Sequence, residues 1–178
     1  MSRERNEGRD AEHHVWARGV NRQQIFLDDE DYRRYTRMLR AVVEKYGWEL
    51  LAFCLLPNHV HLIVRTPEAN LAAGMQWLQS QYALSFNDRY DRSGEGHVFQ
   101  GPYGSRRIAD DVGFMRVAAY VTMNAVVASL CRHPAEWPWS SHGFAGRRLG
   151  ADWIAHDAFT ERMQRLTACR DWLRTIVL

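Results

Sequence analysis

Between Trp48 and Arg65 the chain passes through two strand-like stretches joined at Pro57-Asn58, and this hairpin limits the possible folds more than any other segment. Trp48 to Leu55 is apolar on both faces apart from Glu49, the pattern of a strand covered on two sides and expected at the centre of a sheet. Pro57-Asn58 makes a tight connection, so the next strand must return antiparallel. In that strand, His59-Val60-His61-Leu62-Ile63-Val64-Arg65, side chains alternate between faces. Val60, Leu62 and Val64 point one way; His59, His61, Ile63 and Arg65 point the other. Two imidazoles therefore stand side by side, a geometry that can hold one metal ion if a third ligand arrives from elsewhere. A plainer reading, two polar residues on the polar face of a half-buried strand, is the commoner one for such a motif alone.

The flanking segments supply the rest of a fold. His14 to Arg18 alternates as a first strand ended by Gly19. Asp28 to Asp31 favours a helix N-terminus, and Tyr32, Tyr35, Leu39, Val42 and Tyr46 make the apolar stripe of that helix, with Gly47 as its stop. After Thr66-Pro67 a second helix runs to about Tyr90 on the stripe Leu71, Met75, Leu78, Tyr82 and Phe86. A last strand lies within Val98 to Ile108. Strand, helix, strand, strand, helix, strand is the split βαβ order, an α+β, ferredoxin-like fold whose antiparallel four-stranded sheet carries both helices on one face. Those helices are expected on the Val60 and Val64 side, leaving the histidine face open. A third helix, Val112 to Leu130 behind Asp110-Asp111, has an apolar stripe of Phe114, Val117, Val121 and Ala125. Arg116, Tyr120 and Asn124 follow on the next stripe at one-turn spacing, so a helix laid over the open face would carry Tyr120 and Asn124 to the histidines. The expected organisation is a disordered arm over residues 1–12, one domain over 13–132, and a C-terminal loop and helix extension over 133–178 packed on that domain, with its helix near Asp157 to Ile176.

Composition enters through location and partner. The chain has 178 residues and a mean hydropathy of -0.45, its apolar runs are too short to span a bilayer, and Met1 to Glu12 has no signal-like apolar core, so no membrane and a cytoplasmic setting are expected. Cys54, Cys131 and Cys169 are scattered and odd in number, as buried free thiols would be. A net charge of +2 does not by itself point to nucleic acid. Lys45 is the only lysine, however, and arginine grips phosphate with a planar fork. Arg18, Arg22, Arg106 and Arg107 flank the open face in the strand reading, where Trp16 and Tyr103 could stack on unpaired bases. His13, His14, His133, His142 and His156 have no such pattern, and solvent or ordinary hydrogen bonding is expected of them; His97, beside a glycine-rich turn, is read as a turn residue that could approach DNA.

His59, His61 and Asn124 offer nitrogen and oxygen without thiolate, which suits Mg²⁺ or Mn²⁺ as a Lewis acid on a phosphodiester, with the Tyr120 phenol alongside as nucleophile. At these residues the chain resembles the HUH-type tyrosine transposases, in particular the IS200-like family and its REP-associated branch. The similarity runs through Arg18-Gly19-Val20-Asn21-Arg22, Leu56-Pro57-Asn58-His59-Val60-His61-Leu62-Ile63, Gly96-His97-Val98-Phe99-Gln100-Gly101, Tyr120-Val121-Thr122-Met123-Asn124 and Trp137-Pro138-Trp139-Ser140-Ser141. The resemblance implies that His59, His61 and Asn124 hold the metal and that Tyr120 forms a 5′-phosphotyrosine, freeing a 3′-OH. It also implies a substrate of single-stranded DNA with imperfect hairpins. Two departures stand out: Ala125-Val126 follows the asparagine where the family usually has proline, and Pro102-Tyr103-Gly104 replaces a common Arg-Tyr-Lys. A catalytically silent, domesticated hairpin-binding protein of the same fold is the alternative, and monomer and homodimer are both open.

Overall fold

The sheet is built from β1 (Ala11–Arg18), β2 (Glu49–Leu56), β3 (His59–Thr66) and β4 (Gly104–Arg107), paired antiparallel in the order β2-β3-β1-β4. These assignments come from a computed structural model describing residues 8–92, 94, 96–147 and 152–168. Residues 1–7 of the expected arm lie outside that set, as do Cys169 and the chain from there to its end; Ala11 and Glu12 open β1. Helix α1 (Asp29–Tyr46) starts where the Asp28 carboxylate accepts from the N–H groups of Glu30 and Asp31, and it stops at Gly47, whose φ of 65° is left-handed. Helix α2 (Leu71–Arg89) buries the stripe read from its sequence, Leu71, Met75, Leu78, Tyr82 and Phe86. With α1 it covers Val15, Leu62 and Val64 to form the larger core.

On the opposite face the sheet is half covered. Helix α3 (Asp111–Val127), capped by Asp110, packs Phe114, Ala118, Val121 and Ala125 against Leu51, Ala52, Cys54, Leu56 and Ile63. That burial pushes the Cys54 thiol up to about 12, so it is an inert apolar side chain. The halves of β1 and β4 beyond α3 stay open, and the cleft between them and α3 is where the chemistry-bearing residues collect.

The sequence pattern placed β2 at the centre; it is an edge strand. Its apolar residues are covered on both faces because α1 and α2 lie on one side and α3 lies on the other. Its outer edge is closed by the C-terminal segment. Leu55 N–H donates to Trp139 O at 2.9 Å, Trp137 Nε1 donates to Leu55 O at 2.8 Å, and Ala155 N–H donates to Leu50 O at 2.9 Å. Within that segment a short helix, α4 (Ser141–Arg147), stands where the sequence was read as loop. The last helix, α5 (His156–Ala168), sets Arg162 between Glu12 and Asp111, 2.8 Å from the latter, with its guanidinium 3.9 Å from the Phe114 ring centroid. Among the described residues no helix is long and apolar enough to cross a membrane.

Candidate active site

Register decides what faces the cleft. Arg18 lies opposite His59, Trp16 opposite His61 and His14 opposite Ile63, so alternation puts His14, Trp16 and Arg18 on the face that carries His59 and His61. From β4, Gly104 pairs with Trp16 and Arg106 with His14. The absence of a side chain at Gly104 is what seats Trp16: a Cβ there would lie 2.2 Å from the indole Cε2. The indole therefore lies across β4, 38% exposed.

The two histidines of β3 have ring centroids 5.1 Å apart. His59 Nδ1 sits 2.6 Å from Asn58 Oδ1, and Asn58 Nδ2 donates to Arg22 O at 3.0 Å. A carbonyl can only accept, so the amide is turned with its oxygen toward His59; Nδ1 there carries the proton and Nε2 keeps its lone pair. His61, 5% exposed, has Nδ1 3.0 Å from His14 Nε2 and Nε2 3.4 Å from the Tyr120 hydroxyl. Tyr120 also stands edge-on to both rings, 5.1 Å from that of His61 and 5.8 Å from that of His14, and remains 52% exposed.

Burial sets the charge state. It pulls His61 down to about 3, helped by His14, His59 and Arg18, and pulls His59 down to about 4, helped by Arg18. His14 is likewise lowered to about 4 by burial and then by Arg106. All three imidazoles are neutral near neutral pH, the form that ligates a metal. Asn124, one turn beyond Tyr120 on α3, is 8% exposed, and its Nδ2 has no hydrogen-bond partner among the described residues. Rotation of the amide exchanges its nitrogen and oxygen, so this position can present an acceptor. Imidazole nitrogen from two histidines and an amide oxygen are donor types that suit a hard or borderline divalent ion keeping open positions. Among the described residues no group of three His, Cys, Asp or Glu is placed to hold a metal ion.

The remaining sequence candidates divide. Arg18 and Arg106 share the histidine face, and Arg22 stays exposed at the end of β1, beside Asn58. Arg107 pairs with His13 and so faces the other way. Tyr103, 5% exposed, packs into the core beneath α1 and α2 and cannot stack on a base. Sequence reasoning missed His14 and the role of Asn58. Alternation along β1 would have put His14 on the same face as Trp16 and Arg18, but its partner lies 47 residues away and leaves no local spacing to notice.

A family model described as "Transposase IS200 like" matches residues 9–124, from just before β1 through Asn124. The chain belongs to the IS200-like transposase family. The match takes in His14, Asn58, His59, His61, Tyr120 and Asn124, and stops short of the segment that closes the β2 edge. A putative REP-associated tyrosine transposase of Haemophilus influenzae is 28% identical over 111 residues, which are 57% of this IS200-like chain and 63% of that relative. The chain thus spans less than two thirds of the relative's length. A REP-associated tyrosine transposase solved bound to a REP hairpin superposes with a TM-score of 0.69 at 18% identity, covering 87% of this chain and 92% of that one, so the fold is shared.

Proposed function

We propose that this IS200-like transposase nicks and rejoins single-stranded DNA beside imperfect hairpins through a 5′-phosphotyrosine on Tyr120. One observation carries the reading: the Tyr120 hydroxyl, on α3, stands 3.4 Å from Nε2 of His61 in the same chain, at the open mouth of the cleft. A bound Mg²⁺ or Mn²⁺ would polarise the non-bridging phosphate oxygens and partly neutralise their charge. His59, His61 and Asn124 would hold it. The half-exposed phenol gives its proton to solvent and its oxygen bonds to phosphorus. The bond from phosphorus to the 3′-oxygen breaks, and that oxygen leaves with a proton as a free 3′-OH. Attack by a 3′-OH on the phosphotyrosine reverses these bonds and rejoins a strand. Arg18, Arg22 and Arg106 supply phosphate contacts around the cleft, and the Trp16 indole offers a face to an unpaired base. The hairpin held by the structurally similar protein supports this choice of substrate.

The test is incubation with hairpin oligonucleotides carrying single-stranded flanks, with Mg²⁺ or Mn²⁺, followed by denaturing electrophoresis. A covalent adduct is expected from the unaltered chain and none from Tyr120→Phe. An adduct that persists in Tyr120→Phe removes that residue from the role. Hairpin binding without any adduct from the unaltered chain points to the silent binding protein.

A further inference from the structure

His14 has no part in the reaction above, yet its Nε2 meets Nδ1 of His61 at 3.0 Å, with the two rings nearly parallel at 25° and 5.2 Å apart. Each histidine of the β3 pair has its Nδ1 held by a neighbour outside the pair: His59 by Asn58, and His61 by His14. The direction of the first bond is fixed by the Asn58 amide. The second could run either way. Were His14 the donor, His61 would carry its proton on Nε2 and have no lone pair facing the cleft. With His61 the donor, Nε2 keeps that lone pair, and the Tyr120 hydroxyl at 3.4 Å is placed to donate to it. Only this second arrangement gives both histidines the same free atom.

We propose that His14 is the positioning residue of the site, accepting from His61 Nδ1–H and locking the imidazole in the tautomer that presents Nε2 to an ion. The inference rests on the reading of His59 and His61 as metal ligands. It follows the general behaviour of ligating imidazoles, whose second nitrogen is tied to an acceptor that fixes ring and tautomer. Here the acceptor is a third imidazole delivered by the neighbouring strand.

The experiment has two arms. In the first, ¹⁵N-histidine NMR of the metal-free protein reads the tautomer of His61, with a proton on Nδ1 expected; a proton on Nε2 overturns the proposal. In the second, Mn²⁺ binding is measured by calorimetry for the unaltered chain, His14→Gln and His14→Leu. Glutamine keeps an acceptor oxygen near the place of Nε2 and should bind within a few-fold of the unaltered chain, whereas leucine should bind about 10- to 100-fold more weakly. Equal binding by His14→Leu overturns the proposal, as does a loss in His14→Gln as large as in leucine. If His14→Leu does not fold, the glutamine variant and the spectrum decide. If the unaltered chain binds no Mn²⁺, the metal reading fails by itself, and the spectrum alone judges the His61-to-His14 bond.

Discussion

His14, His59 and His61 share one half-buried face, and none can take a proton there as readily as in water. An unfolded chain protonates these side chains as pH falls through about 6.5, while the folded chain resists until about 4 for His14 and His59 and about 3 for His61. The unfolded state therefore binds more protons across that window. The contribution is intact above about pH 7 and is lost progressively as pH falls toward 4. Melting temperatures should drop between about pH 7 and about pH 5, and His14→Gln should flatten the slope. A second expectation concerns base stacking. Trp16→Ala should weaken single-strand binding by roughly 1–3 kcal/mol, about 5- to 150-fold in a fluorescence titration, and Tyr103→Phe should leave it unchanged. The sequence treated these two aromatics alike because it located β4 only within a window of eleven residues. A shift of one residue in a strand turns every side chain to the opposite face, and Tyr103 falls immediately before the strand, one position out of phase with Gly104.

At the scale of elements, β2 shows how an unbroken apolar run can mislead. The run reports cover above and below, and it says nothing about how many hydrogen-bonded neighbours a strand has. Among the described residues β2 has one strand partner, β3, and its other edge is met by Trp139 and Ser140 and by Ile154 and Ala155. The C-terminal extension therefore takes part in closing the sheet. A chain ending at residue 132 should expose the backbone of an apolar edge strand and self-associate, seen as high-mass species in size-exclusion chromatography with light scattering. A monodisperse product with unchanged melting temperature would show that β2 needs no such cover. The helices were more legible: the stripes of α1 and α2 could be read at three- and four-residue spacing because tertiary packing and local period agree there.

Across the molecule, the order of elements was readable and so was the pairing of Tyr120 with the histidine strand, since an α3 laid on the free face of the sheet leaves few other places for it. The cross-strand neighbours were not readable, because contacts such as His14 to His61 and Arg162 to Glu12 join residues with no local relation in sequence. The second of these has a mechanical side. Arg162 pins the first turn of α3 through Asp111 and, through Glu12, ties it to the start of β1. Tyr120 lies nine residues further along, about 13 Å down the axis at the usual rise. A pivot of about 5° at that mooring would swing the phenol by about 1 Å, the scale of misalignment that can cost roughly 10²-fold in rate. On the proposed reading, the aim of Tyr120 is thus adjustable from α5, and substitutions there should shift the phenol without altering any residue proposed to meet DNA.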